Sequence, residues 1–137
     1  MEYTKLVKML KDDEGLVLKP YKCPTGFLTI GYGRNLEARG ISVDEAEILL
    51  HNDIKNVTFQ LHKSFPEWTK YPSDIRIVLI CMGFQLGVGG LMNFRKMISA
   101  LQKNDFQTAA NEMLDSQWAK QTPKRAKKLA DIVRKAK

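Results

Sequence analysis

Helical spacing of apolar residues runs through most of this chain, but between Leu16 and Arg34 it stops. LVLKPYKCPTGFLTIGYGR consists of short β-prone runs broken by Pro20, by CPTG and by the glycines of IGYG. Such punctuation reads as two or three short strands, with a turn at Pro24 to Gly26. On the N-terminal side, Tyr3, Leu6, Val7 and Leu10 fall at i, i+3, i+4, i+7, an amphipathic helix that Gly15 stops. On the C-terminal side, Ser42 with Glu45 three residues later forms a capping-box pattern. It opens a helix of about 20 residues that ends near His62 to Pro66.

The remainder reads as helix throughout. Ser73 is expected to cap a helix over Ile75 to Leu86, ended by the GVGG of Gly87 to Gly90. Asn93 opens a helix through Leu101, and Asp105 opens another toward Trp118. Thr122 and Pro123 open the last, because Pro is pre-set for the first helical position; its stripe is Ala126, Leu129, Ala130 and Val133. The expected fold class is α+β and mostly helical, with one small N-terminal sheet.

A 137-residue chain with 44% apolar and 27% charged residues has ordinary globular composition. It has no n-region and h-region of a signal peptide at its start. The longest apolar run, Ile77 to Phe84, is short of the roughly 20 residues that span a bilayer, and reads as a buried helix. Cys23 and Cys81 are expected to be free thiols in a reducing cytoplasm, with Cys81 a small core residue. His51 and His62 lie on a mostly polar helix face and read as solvated, and no cluster suggests a metal or another cofactor. Net charge is +7, and from Pro123 onward seven Lys and Arg residues stand against Asp131 alone. Such an end suits an anionic partner, whether nucleic acid, a lipid surface or an acidic wall polymer.

Three polar groups stand out in the β-prone region: Glu14 after the first helix, Cys23 before the turn and Thr29 on the following strand. A helix end facing a tight hairpin can gather them around one cleft. There a partly desolvated Glu would keep a proton near neutral pH.

Four blocks resemble the phage-type lysozymes of glycoside hydrolase family 24, the bacteriophage endolysins. They are EG-x-x-L-x-x-Y at Glu14 to Tyr21, G-x-x-TIG-x-G at Gly26 to Gly33, MGFQLG at Met82 to Gly87, and W-x-x-QTP-x-RA at Trp118 to Ala126. The resemblance implies hydrolysis of the β-1,4 link between N-acetylmuramic acid and N-acetylglucosamine in peptidoglycan, without a cofactor. It implies Glu14 as general acid, Cys23 at a second catalytic position that is usually Asp, and Thr29 placing the attacking water. Phe84 and Gln85 fall on positions that contact sugar, Tyr32 and Asn35 join them as expected cleft residues, and Arg125 falls on an arginine that supports the acid. Arg34 replaces a His whose structural ion pair is therefore not expected here.

The fold so implied is a single lysozyme-like domain over residues 1–137. Its β-lobe covers about residues 12–40, a connecting helix residues 42–62, and a helical lobe residues 1–11 and 63–137, with the cleft between the lobes. Short spacing between Arg34 and Ser42 implies a trimmed β-lobe. The expected setting is the host cytoplasm, with action on the wall after another agent permeabilises the membrane. The expected partners are peptidoglycan glycan strands and, through the basic C-terminal helix, anionic envelope; the protein is expected to be a monomer.

Direct attack by a Cys23 thiolate would leave a thioglycoside that resists acid-assisted cleavage. Inversion is therefore favoured, with Cys23 and Thr29 handling water. With Lys22 pointing to the other face of its strand, the thiolate fraction is expected to be small. Two other readings are a Cys23 acyl-transfer nucleophile with His51 or His62 as base, and a basic module that binds nucleic acid or membrane without catalysis. The first lacks a Gly-Cys context. The second lacks any accompanying helix-turn-helix, RNP or zinc pattern.

Overall fold

A computed structural model describes residues 2–137. The described residues form seven α-helices and one three-stranded antiparallel sheet in the order β1-β2-β3, an α+β and mostly helical fold. The chain divides into two compact units, one running to Leu49 and the other starting at Leu50. This division falls inside the long helix α2, Val43–Ser64.

The first unit begins with α1, Tyr3–Glu14, which runs four residues past Leu10, the last of its apolar stripe. The stripe stops because Asp12, Asp13 and Glu14 are polar. The backbone continues to Gly15, whose φ of 71° ends the helix and whose N–H donates to Lys11 O. Lys8 Nζ lies 3.0 Å from Asp12 Oδ2 across that last stretch. The stripe itself is open, with Tyr3, Leu6 and Leu10 exposed and Val7 half-buried.

Strands β1, Val17–Lys22, β2, Leu28–Gly31, and β3, Arg34–Asn35, follow. Tyr21 pairs with Thr29 and Thr29 with Asn35, so these three side chains share one face of the sheet. The β1–β2 turn closes through Gly26 N–H to Cys23 O and Cys23 N–H to Phe27 O, which is the turn expected from CPTG.

The expected capping box at the start of α2 is present. Glu45 N–H donates to Ser42 Oγ at 3.1 Å, and Ser42 N–H donates to Glu45 Oε1 at 2.8 Å. Arg34 adds a fork that the sequence did not announce. Its two terminal nitrogens reach Glu45 Oε1 and Oε2 at 2.9 and 2.7 Å, and Nη1 also donates to Gly40 O. An ion pair thus exists where none was expected, because the longer guanidinium reaches the cap carboxylate. These hydrogen bonds, Arg34 first and Ser42 next, hold the Glu45 carboxyl down at about 2.

In the second unit the rest of α2 leads into a 3₁₀ turn, Pro66–Lys70, and then α3, Ser73–Met92. Helices α4, Arg95–Gln102, α5, Phe106–Leu114, α6, Gln117–Gln121, and α7, Pro123–Lys135, complete it. Their shared core is built around Leu61, Ile75, Leu79, Met82, Leu91 and Met113. The last helix starts at Pro123 and buries Ala126, Leu129, Ala130 and Val133, as its spacing predicts.

Several expectations for this unit are corrected. Ser73 makes no cap, since Pro72 occupies the N-cap position and no side chain caps α3. The end expected at GVGG is found as a break at Gly87, beyond which a further helical stretch runs to Met92; Ser73–Met92 taken together is long and apolar enough, by length and composition, to cross a bilayer. Its Ile75, Val78, Leu79 and Met82 face is buried in protein, and its backbone leaves helical geometry at Gly87 (φ 74°, ψ 153°). Cys81 is exposed, because it lies on the outward face with Ile77 and Phe84. Asn93 opens no helix, since the next begins at Arg95. The helix opened by Asp105 ends at Leu114, and a Ser116-capped helix carries Trp118. His62, although exposed, accepts a hydrogen bond at Nδ1 from Trp68 Nε1 at 3.3 Å.

Gly83 lets α2 and α3 touch, because a Cβ there would sit 2.9 Å from Val57 Cγ1. Val57 is stiff in a helix and cannot swing aside easily. Gly83→Ala gains roughly 1 kcal/mol of helix propensity, against an overpacking cost of roughly 1–3 kcal/mol. A lowered melting temperature is expected; an unchanged or raised one would show that the two helices separate readily there.

Glu45 supplies a second test. A carboxyl held below its ordinary 4.5 stabilises the fold fully above that pH and loses the contribution as pH falls toward 2. Glu45→Gln should therefore melt below the wild type at pH 6, with the gap narrowing as the two are compared at pH 4, 3 and 2. A gap independent of pH would count against the ion pair.

Candidate active site

Glu14 is the last residue of α1, and its carboxylate lies directly over the backbone of Gly33. An added Cβ at Gly33 would be 2.6 Å from Oε2 and 3.2 Å from Cδ of Glu14. Gly33 also takes φ 75°, so this close approach suits glycine both for space and for backbone conformation. Val7, Leu10, Lys11, Glu14, Tyr32 and Gly33 line a shallow cavity of about 310 Å³. Lys11 Nζ stands 5.4 Å from the centre of the Tyr32 ring, on the same cavity wall. The apolar neighbours do not shut water out as the sequence suggested. Glu14 is exposed, as are Leu16, Val17 and Leu18.

Cys23 and Thr29 belong to the hairpin. Residues two apart on a strand share a face, so Cys23 joins Tyr21, Thr29 and Asn35. Thr29 is the only buried residue of this unit among those described. Its hydroxyl donates to Phe27 O at 2.9 Å. A hydroxyl has one proton to give, so Thr29 faces any further partner as an acceptor.

Cys23 Sγ lies 3.1 Å from Thr25 Oγ1. That contact first, and the Phe27 backbone second, lower the thiol from 9.0 to about 7. The small thiolate fraction expected from the remoteness of Lys22 is thus corrected. Neutral hydrogen-bond donors within the turn do what a cation was thought necessary for, and near pH 7 roughly half the thiol is ionised.

Glu14 and Cys23 flank β2 at opposite ends. Cys23 is opposite Phe27, Glu14 is against Gly33 beyond Gly31, and strand rise from Phe27 to Gly31 is about 13 Å. Asn35 is half-buried, and its Oδ1 accepts from Ala38 N–H at 2.9 Å, which leaves the amide nitrogen to offer a ligand. Tyr32 is exposed.

The other expected site residues lie in the second unit. Phe84 is exposed on α3, beside Asp53, Asn56 and Gln60 around a cavity of about 230 Å³. Gln85 is spoken for, because its Oε1 accepts from Trp118 Nε1 at 2.9 Å. It thereby fixes an indole that packs edge-on against Phe94 and lines a groove of about 600 Å³. Arg125 is exposed on α7. Among the described residues no three His, Cys, Asp or Glu side chains gather in a way that would hold a metal ion. Sequence reasoning missed Thr25 and Gly33. The signal for Thr25 was its place in CPTG, two residues after the thiol. For Gly33 it was a second glycine so soon after Gly31.

The chain is 27% identical to probable T4-type lysozyme 1 of Dictyostelium discoideum over 154 residues, covering 91% of each. It is 26% identical to probable T4-type lysozyme 2 of the same organism, covering 93% of this chain and 92% of that protein. It is also 29% identical to the pre-baseplate central spike protein Gp5 of Enterobacteria phage T4, covering 93% of this chain but only 27% of that much longer protein. Each alignment is longer than this 137-residue chain, so the relatives carry residues between matched blocks that are missing here. A family model described as phage lysozyme matches residues 11–137, and the chain belongs to that family.

Proposed function

We propose that this protein is a muramidase that cleaves the β-1,4 bond between N-acetylmuramic acid and N-acetylglucosamine in peptidoglycan and so opens the wall of a host cell. Membership of the phage lysozyme family supports the reaction class. The observation that carries the residue assignment is the Glu14 carboxylate seated over Gly33 at the edge of an open cavity, with Thr29 and Cys23 following along the same small sheet.

In this reading Glu14 gives its proton to the glycosidic oxygen as the bond to the anomeric carbon breaks. Water enters from the opposite face, and its proton passes to the Cys23 thiolate. Thr29 accepts the water's second hydrogen bond, since its own proton is engaged with Phe27 O. The cycle leaves ionised Glu14 and a neutral thiol, which exchange protons with solvent. With water entering from the opposite face, the first product is the α-anomer. Tyr32 and Phe84 offer exposed rings to sugar, and the Asn35 amide offers a donor. Arg125 and the basic α7 present positive charge to an anionic envelope.

Three outcomes test the scheme on purified wall. Glu14→Gln should abolish release of reducing ends, and Gly33→Ala should cost at least about tenfold in kcat with the fold retained, because its methyl displaces the acid. Cys23→Asp should remain active, and its acid limb should lie well below that of the wild type. A base titrating about 7 loses activity as pH falls through 7, whereas an aspartate keeps it to about 4. A β-configured first product by NMR would replace inversion with retention. Peptide products would replace the glycosidase reading with acyl transfer.

A further inference from the structure

The hairpin contains a residue whose role lies beyond the acid, base and water assignments. We propose that Thr25 is the positioning residue of the Cys23 thiol: its hydroxyl donates to the sulfur and aims it along the sheet face that carries Thr29. This rests on the reading of Cys23 as the water-activating base.

Two hydroxyls lie within reach of the thiol, and the structure divides their labour. Thr29 has already given its proton to Phe27 O at 2.9 Å, so toward sulfur or water it can only accept. Among the described residues the Thr25 hydroxyl has no other hydrogen-bond partner, and its Oγ1 stands 3.1 Å from Cys23 Sγ. Once the thiol ionises it can only accept, and Thr25 is then the donor of the pair.

The geometry is built into five residues. Pro24 presets the first turn position, Gly26 N–H closes on Cys23 O, and Cys23 N–H closes on Phe27 O. Thr25 occupies the remaining corner, where a β-branched side chain has few χ1 choices. Other charges are poorly placed to do the same work. Lys22, the adjacent cation in the sequence, projects from the opposite face of the strand. Lowering of the thiol toward 7, with Thr25 the largest cause, agrees with this placement.

The test reads sulfur ionisation directly, without reference to turnover. In a Cys81→Ala parent, which removes the other exposed thiol, the rate of iodoacetamide alkylation is followed by mass spectrometry from pH 5 to 10. Parent and Thr25→Ser should titrate together near 7, whereas Thr25→Val and Thr25→Ala should titrate closer to 9. An unchanged midpoint in both hydroxyl-free variants, with circular dichroism showing the fold intact, would overturn the proposal. If Thr25→Val alone unfolds, Thr25→Ala decides.

Failure of the catalytic reading looks different. Cys23→Ala would then be fully active on wall while the Thr25 variants still shifted the alkylation midpoint. With both readings correct, the acid limb of wall hydrolysis moves to higher pH in Thr25→Val by the same interval as the alkylation midpoint, and Thr25→Ser restores it.

Discussion

The fork between Arg34 and Glu45 bears more of the N-terminal unit than any apolar contact does. Among the described residues through Leu49, Thr29 is the only one that is buried, so hydrophobic burial there has little area to act on. Order has to come from directional bonds. Arg34 spans the last strand, the Gly40 carbonyl and the first turn of α2, while Glu45 closes the helix cap with Ser42. Removing the carboxylate would free a strand end, a loop carbonyl and a helix start together. The sheet that carries the candidate catalytic groups is thus positioned by a polar clamp at one edge and a five-residue turn at the other.

Much of this was legible because it is local. The 3.6-residue period, the Ser42–Glu45 box, the CPTG turn and the Thr122–Pro123 helix start are each set by residues within one turn of one another, and each appears in the structure. What escaped depends on direction or distance. An apolar run does not say which of its residues faces out, and Cys81 with Ile77 and Phe84 forms the open side of α3. The glycine-rich segment reads as a helix end and the backbone does break at Gly87, but no local signal announced the helical stretch that resumes to Met92. Arg34 and Glu45 are eleven residues apart, so only folding brings them together.

The candidate site shows the same division. Glu14, Cys23 and Thr29 stand out by type and spacing, but their relation to one another is set by backbone geometry that no motif spells out. Gly33 matters for an atom it lacks, and Gln85 for the indole it orients in place of a sugar contact of its own carbonyl. Residue type suggested what each group is able to do; hydrogen-bond partners decided which of those options remained.

The thiol makes this plainest. In place of an aspartate, a cysteine needs help to ionise near neutral pH, and the usual helpers are a cation, a helix N-terminus or a metal. Here the help comes from a threonine hydroxyl and the amides of a tight turn. Neutral donors stabilise a thiolate without tethering a positive charge beside the reaction centre. That matters when the transition state itself gains positive character at the sugar ring. A lysine or arginine against Cys23 would ionise it more strongly and, in the proposed reaction, repel the oxocarbenium. A hydroxyl-tuned sulfur is also a stronger base than a carboxylate, because it retains affinity for a proton up to about pH 7. In the proposed mechanism a thiol in the role of a carboxylate exchanges reliable ionisation for basicity, and the CPTG turn restores part of the first.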